Sequence, residues 1–446
     1  MAFVPGERKS LLSSQARVQA PFVKVTIGTY TFGVYNKKKL LAKDENGFFA
    51  AYGVQYPNYV QSLQITKING QVNQYTLSIA YPVTANDDPN FFEKVFSSVS
   101  KTRKIIFSYG DSSMPSYIYK DEEAIITNVQ TSFNFGSSGT ISTIINYTVS
   151  AVSGAALGKS SCFTFINSGK KKPSTEIKRL LTNDKYGLKS LFTGMNSGNI
   201  NKLIAGDDAK VELESKRNIS ALDYVSYLVG CMIPEGTSKK NISKDIYTLV
   251  LYDDTSYDRV YSDREVIDGT EIKGPYFKVS RVSYATKRSD AYEIDIGYNT
   301  STIVTGFTIN NNENYSLYYD YNSKLQPEQY VRRINDEGEW EDVYAPALTS
   351  KNPEFETRAE DIVWYTKVTQ FPVSGTITIQ GLLRPATLMQ YVRLNIIFPG
   401  GHKHITSGLY IVTKQIDTID GNDSNGYKTQ LTITKLSGDE TIKTYA

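Results

Sequence analysis

The chain is poor in the residues that most often carry chemistry. Its 446 residues include only two histidines, two cysteines and two tryptophans. His402 and His404 share one Gly-rich loop. Because the chain has no third histidine, a Ser- or Cys-based catalytic triad that uses histidine is not expected. Their i, i+2 spacing could clamp one metal ion, but no cysteine or carboxylate cluster lies nearby in sequence to complete its shell. We therefore favour a loop that meets a partner or solvent, and we expect no metal and no cofactor.

Disulfides and long apolar runs are also missing. Cys162 and Cys231 both lie in apolar sequence, which favours two buried free thiols over a disulfide. No window approaches 18 consecutive apolar residues, so we expect no membrane-spanning segment. The first residues have no apolar core of signal-peptide length, and we expect the protein to stay in the cytoplasm unless a larger particle carries it out.

Charge of one sign is nearly absent as well. The 49 basic and 46 acidic residues leave a net charge of +3, which gives no electrostatic case for gripping a nucleic-acid backbone. Neither a dinucleotide-binding nor a Walker motif occurs. Glu337, Glu339 and Asp342 flank Trp340, and paired carboxylates beside an aromatic residue are the pattern of a glycosidase. Acids between Gly and Asn are, however, more typical of a solvated turn, so we expect no enzymatic activity.

Tyrosine, in contrast, is abundant, with 33 residues. It suits β-strands, and it suits protein interfaces where one end of the side chain is packed and the other is wet. The segment 315–321 places tyrosines on both faces of one predicted strand, which favours a protein interface over a sugar-stacking surface. The candidate interface residues are Tyr318, Tyr319, Tyr321, His402, His404 and Tyr410.

The strongest pattern is the alternation of apolar and polar residues in short runs that end in Gly, Pro, Asn or Asp. Such runs are typical of half-buried antiparallel strands joined by short turns. In the C-terminal part they occupy residues 374–380, 391–398, 408–416 and 427–436. A similar order occurs at residues 74–80, 103–109, 123–131 and 141–152. The sequence therefore predicts one small all-β module carried twice, which favours a role in assembly.

Helices are predicted in two places. In the first β module, Asp88 can cap a helix, Pro89 suits its first turn, and a wide apolar stripe from Phe91 to Val99 indicates that it lies against the barrel wall. Beyond the first module, helices are predicted over 174–181, 186–193 and 221–232. Ser220 and Asp223 form a capping box at the start of the last of these.

Together these patterns predict a mainly β protein with a helical insertion (α+β) and two tube-like antiparallel β-barrel modules. Four short strands barely close a core, so strands from 276–309 are expected to complete the second module. The region 166–360 can form either one domain or an insertion within that module. The predicted segments are an N-terminal arm (1–20), a first tube-like β module (21–165), a helical linker or insertion (166–245), a mixed β region (246–360) and a second tube-like β module (361–446).

The C-terminal strands resemble a known family. In the baseplate hub proteins of contractile-tailed bacteriophages, a late-control-type family related to the N-terminal part of type VI secretion spike proteins, a Gly-x-Tyr-x-Val strand closes a tube-like barrel. Gly408, Tyr410 and Val412 match that strand, while Asp417 stands where a histidine often follows. The layout of two β modules around a helical middle also resembles the family over most of the chain.

The resemblance implies a structural virion protein of the tail baseplate, assembled in the host cytoplasm. A homotrimer would present six barrels, adapting a six-fold tail tube to a three-fold central spike and forming a conduit that passes DNA without binding it specifically. The implied partners are the tail tube and central spike proteins, with the tape-measure and wedge proteins as further neighbours. Alternatives are a hexameric distal tail adaptor with a single barrel, a receptor- or glycan-binding tail module, and a cell-wall hydrolase.

Overall fold

The chain is mainly β, with two β modules and a helical region between them, as the alternating runs predicted. Among the described residues, the first module consists of seven strands and one helix. A computed structural model of the protein describes residues 21–35, 59–111, 119–134, 143–236, 245–252, 266–282, 291–298, 304–311, 330–334, 340–344, 373–380, 388–420 and 426–438. The elements of the first module are β1 (Pro21–Ile27), β2 (Tyr30–Tyr35), β3 (Val60–Ile68), β4 (Gln74–Val83), α1 (Phe91–Ser98), β5 (Lys104–Asp111), β6 (Tyr119–Asn134) and β7 (Thr143–Ser153).

The strands of the first module curl around one core. They pair antiparallel in the order β3-β4-β7-β6-β5-β1-β2, and β2 in turn contacts β3. The Asn69–Gly70 turn joins β3 to β4, with Gly70 at a φ of 73° that favours glycine. Alternate residues such as Leu63 and Leu77 face each other inside, fully buried.

Helix α1 lies against this barrel-like wall, as predicted. Its buried side chains Phe92 and Val95 pack into the core, and the Phe92 ring lies 5.3 Å from the ring of Tyr147. The helix begins later than expected, at Phe91. The carboxylate of Asp88 accepts hydrogen bonds from the Asn90 N–H (2.9 Å) and from Lys94 Nζ of the helix (2.6 Å). It therefore forms the turn that precedes the helix, and the N-cap position is taken by Asn90.

The middle region has its own core, built from helices and a strand pair. Strands β12 (Ile246–Tyr252) and β15 (Tyr276–Val282) pair with each other, and Tyr276, Phe277 and Val279 of β15 pack against the helices. This strand was expected to complete the second β module, but its ladder partner and its buried face both belong here. The elements are β8 (Cys162–Phe165), β9 (Lys170–Lys171), α2 (Pro173–Thr182), α3 (Leu188–Leu191), α4 (Ile200–Leu203), β10 (Val211–Glu212), β11 (Lys216–Ser220), α5 (Ala221–Gly230), β12 (Ile246–Tyr252), β13 (Val266–Ile267), β14 (Thr270–Glu271) and β15 (Tyr276–Val282), with 3-10 turns at Gly154–Lys159 and Asp184–Tyr186.

Two local predictions in this region have different outcomes. The Ser220 hydroxyl accepts the Asp223 N–H (3.1 Å) at the start of α5 and donates to the Asp223 carboxylate (2.7 Å), so the predicted cap is confirmed. Cys231 is buried and forms no disulfide, as predicted, but Cys162 is exposed. It begins the short strand β8, in which Phe165 is buried in the core and Phe163 packs against it, while Cys162 lies on the other face of the strand, so its apolar neighbours in sequence do not enclose it.

The remaining strands, in chain order, are β16 (Tyr292–Gly297), β17 (Val304–Asn311), β18 (Tyr330–Ile334), β19 (Trp340–Tyr344), β20 (Val373–Gln380), β21 (Tyr391–Ile397), β22 (Gly408–Asp420) and β23 (Tyr427–Gly438), with a 3-10 turn at Pro399–Gly401. Six of them form the second module within the described residues. They pair in the order β17-β20-β23-β22-β21-β16, and β18 and β19 form a separate hairpin.

Six of the seven strands of the first module have a counterpart in the second. The order β3-β4-β7-β6-β5-β1 in the first corresponds to β17-β20-β23-β22-β21-β16 in the second, and the strands follow one another along the chain in the same sequence. One difference is that β16 pairs parallel with β21, whereas β1 pairs antiparallel with β5. The reason is that β16 lies where β1 lies in the first module but runs in the direction of β2, the hairpin partner of β1.

Candidate assembly interface

Strand β22 belongs to both modules. It pairs with β21 up to Ile411 and then, over residues 414–420, with β3 of the first module. Ile419 faces Leu63 in this ladder, and both side chains are fully buried. We call the β22–β3 ladder the internal joint. Because of it, the two modules share one continuous 13-stranded sheet.

The turn at Asn69 and Gly70 fixes the internal joint to the middle region. The Asn69 N–H donates to the carbonyl of Thr413 in β22 (3.2 Å), and the Gly70 N–H donates to the carbonyl of Leu249 in β12 (2.7 Å). One turn thus bonds to both other regions of the chain through its backbone. These bonds place the modules and the helical region in one arrangement.

A buried carboxylate lies within the internal joint. Asp417 accepts hydrogen bonds from the hydroxyl of Thr429 and from the side-chain amide of Gln415, both at 2.7 Å. All three side chains are buried. Since an unmatched buried polar group is costly, this carboxylate orders its neighbours in the joint. The position where the family resemblance has a histidine is therefore a structural position between the modules.

Two strand edges that correspond to the internal joint are exposed. β6 pairs with β5 only as far as Ile125, and its continuation to Asn134 has no strand on the side away from β7 among the described residues. β17 is the last strand at its end of the sheet, and among the described residues it pairs with β20 alone. Phe133 on β6 is 56% exposed and Phe307 on β17 is 42% exposed. Exposed edges with apolar side chains are templates for pairing with another chain.

A groove runs beside the exposed part of β6. Its lining includes Phe96 and Arg103 from the end of α1 and the loop after it, and Ile126 and Asn128 from β6. It opens where β5 leaves β6. The corresponding point of the second module, beside Thr413, holds the Asn69 turn. The first module therefore has room for a similar turn at this place.

The loop between β21 and β22 presents His402 and His404 at the surface. The Phe398 N–H donates to the carbonyl of His402 (2.8 Å), the His404 N–H donates to the carbonyl of Ile396 (2.9 Å), and the His404 ring nitrogen Nδ1 lies 2.7 Å from the Thr406 hydroxyl. Phe398 and Ile405 are about half exposed beside them. No group of three or more His, Cys, Asp or Glu side chains that could hold a metal ion occurs in the described ranges.

Tyr410, the third described candidate, is not on the surface. Its side chain is fully buried in the core of the second module, and its hydroxyl donates to the carbonyl of Thr406. This corrects the expectation of an interface residue. The strand start is covered on both faces, because Tyr410 and Val412 enter one core while Leu409 and Ile411 enter another.

The remaining candidates lie outside the described residues. They are Tyr318, Tyr319 and Tyr321, together with Glu337 and Glu339 of the carboxylate cluster. Of that cluster, residues 340–344 form the strand β19. In the part of the chain that the structure covers, no helix is long and apolar enough to cross a membrane.

The chain matches no protein-family model and no curated protein. Among solved structures, it is similar to a tail protein from Neisseria meningitidis MC58, with 10% identity, a TM-score of 0.44 and coverage of 93% of this chain and 96% of that one. It is similar to a 43 kDa tail protein of prophage MuSo2 from Shewanella oneidensis, with 7% identity, a TM-score of 0.43 and coverage of 93% and 98%. A third is an Escherichia coli type VI secretion component described as similar to T4 bacteriophage tail proteins, with 10% identity, a TM-score of 0.40 and coverage of 86% and 76%.

Proposed function

We propose that this chain is a structural protein of a phage-type tail, namely the central hub of its baseplate. Three copies would form a ring of six barrel-like modules, two from each chain. Such a ring would meet a six-fold tail tube with six similar modules and a three-fold spike with three identical chains. It would act as an adaptor and a DNA conduit, with no turnover chemistry.

The observation that carries this proposal is the internal joint between two modules of the same strand order. A head-to-tail contact between similar units generates a ring when the rotation closes. The chain already contains one such contact, because β22 of the second module pairs with β3 of the first. Both the exposed edge of β6 and the exposed edge of β17 are suited to continuing the series.

Charge and surface features are compatible with this role. A conduit for DNA must not hold phosphates, and the chain has a net charge of only +3 with nearly equal numbers of both signs. The loop with Phe398 and Ile405 offers an apolar patch for a neighbouring tail component. The tail tube and central spike proteins would bind opposite faces of the ring, with the tape-measure and wedge proteins as further neighbours.

The number of subunits tests the proposal. Light scattering of the purified protein should give three times the 49.9 kDa of one chain, which is about 150 kDa, and negative-stain images should show a central hole. A hexamer would favour the distal tail adaptor instead. A single chain at high concentration, with no ring in the images, would overturn the hub.

A further inference from the structure

We infer that copies of this chain join through a β-ladder between β6 of one copy and β17 of the next, with Phe133 facing Phe307 of the neighbouring copy. The inference rests on the proposed function only in requiring that copies associate. We call this ladder the external joint. It copies the internal joint between β22 and β3, position by position.

The equivalence of β6 and β22 is fixed by a bulge that both strands carry. The ladder with the following strand shifts its register at Thr127 in β6 and at Thr413 in β22. Just before the bulge, the Ile126 N–H donates to the carbonyl of Arg103 (2.7 Å), and the Val412 N–H donates to the carbonyl of Gln390 (3.0 Å). Counting six residues from each bulge, Phe133 takes the place of Ile419.

The equivalence of β17 and β3 is fixed in the same way. Their ladders with the following strands shift register at Thr305 and at Gln61. Counting two residues from each bulge, Phe307 takes the place of Leu63. Since Ile419 faces Leu63 in the internal joint, Phe133 of one copy faces Phe307 of the next in the external joint.

Exposure separates the two joints in the single chain. Ile419 and Leu63 are fully buried, whereas Phe133 and Phe307 are among the large apolar side chains that are exposed. On the same face, Asp417 is buried and its counterpart Thr131 is exposed. Two aromatic residues directly opposite each other are a favourable cross-strand pair. The external joint would bury Phe133 and Phe307 in the positions that Ile419 and Leu63 occupy in the internal joint.

A second copy of the chain is the occupant that we assign to each edge. Within one chain, β20, β23, β22, β3, β4 and β7 lie between β17 and β6, so the two edges are seven strand spacings, or about 34 Å, apart along the sheet. The two edges correspond to the two strands that pair in the internal joint, and pairing between copies leaves every described ladder intact.

The internal joint also tells which positions can be cross-linked. The hydrogen bond from the Asn69 N–H to the Thr413 carbonyl makes Asn69 and Thr413 a hydrogen-bonded pair in the register of this ladder. Hydrogen-bonded and non-hydrogen-bonded pairs alternate along an antiparallel ladder, so Gln64 and Thr418, five positions further on, form a non-hydrogen-bonded pair. The corresponding pair between copies is Thr308 with Ser132. Residues in such pairs have Cα atoms about 4.5 Å apart, within the range that a disulfide bridges.

Cysteine cross-linking tests the external joint. In a Cys162→Ser background, which removes the exposed thiol, the assembled Ser132→Cys, Thr308→Cys protein is oxidised and run on a non-reducing gel. We expect covalent dimers and higher species made of whole chains. The matched control, Gln130→Cys with Thr308→Cys, is displaced by two residues, and we expect about ten-fold less cross-linking because the separation exceeds about 7 Å.

Each outcome bears on the inference. Assembly seen by light scattering without cross-linking of the 132–308 pair, or with equal cross-linking of the control, overturns the external joint and leaves the hub proposal standing. Specific cross-linking into a six-chain ring supports the external joint and removes the trimeric hub. A single chain without cross-links at high concentration overturns both.

Discussion

Ile419 of β22 and Leu63 of β3 face each other between the two β modules, and neither exposes any of its side chain to solvent. Both side chains belong to the hydrophobic core of the first module, although Ile419 comes from a strand of the second module. The internal joint is thus packed like a domain core and not like a hinge. The two modules are expected to unfold together.

Truncation of Ile419 should therefore destabilise the whole chain. Ile419→Ala removes buried methyl and methylene groups and leaves a cavity, which typically costs about 2–5 kcal/mol. Urea unfolding, followed by circular dichroism and tyrosine fluorescence, measures the loss. The control is Ile405→Ala on the exposed loop, for which a change within about 0.5 kcal/mol is expected. Equal stabilities of the two variants would show that the joint is not packed as described.

Asp417 should contribute through its hydrogen bonds. Asp417→Ala leaves the Thr429 hydroxyl and the Gln415 amide without this acceptor, and each unsatisfied buried group costs about 1–3 kcal/mol. Asp417→Asn keeps one acceptor oxygen and should lose less. The free energy of unfolding in urea is the measurement, with Thr418→Ala on the same strand as the control. A variant Asp417→Ala as stable as Asp417→Asn would contradict the role of the carboxylate.

Tyr147 should make the first module sensitive to alkali. Its burial against Phe92, together with the charges of Glu93 and Tyr81, raises the pKa of its hydroxyl to about 12. The unfolded tyrosine ionises near pH 10, so the stabilisation is full below that pH and is lost as the pH rises towards 12. Tyr147→Phe should lose less stability than wild type between pH 10 and 12.

The measurement for Tyr147 is the midpoint of urea unfolding at pH 8, 10, 11 and 12. Tyr30→Phe, at an exposed tyrosine of the same module, is the control and should follow the wild type. Other buried tyrosines will keep some alkaline loss in every variant. Parallel curves for wild type and Tyr147→Phe would show that this hydroxyl does not contribute.

Alternation in the sequence predicted most strands, because the sheet has one buried face over most of its length. β22 shows where that signal ends. From Gln415 onwards its residues alternate between buried and half-buried, but Leu409, Tyr410 and Ile411 are all buried, since cores lie on both faces there. A strand that is covered on both sides shows no period of two, so the sequence pattern did not identify Tyr410 as a core residue.

The assembly edges could not be read from the sequence for a different reason. Phe133 and Phe307 occur in runs that look like ordinary half-buried strands. Their correspondence with Ile419 and Leu63 depends on bulges at Thr127 and Thr305, which are properties of paired strands and leave no clear mark in composition. Only the ladders of both modules together give the register.

The external joint predicts a charge-swap experiment. Phe133→Glu or Phe307→Lys alone would place a charge opposite a phenylalanine and bury it unpaired, at a cost of about 1–3 kcal/mol per joint, which weakens association by about ten- to a hundred-fold. Both substitutions in one chain would place opposite charges across each joint and restore assembly.

The control is Phe398→Glu, about as exposed as Phe133 but on the loop after β21. Light scattering over a range of concentrations measures the mass. If Phe398→Glu dissociates the assembly and Phe133→Glu does not, copies associate through that loop and the β6–β17 ladder is excluded.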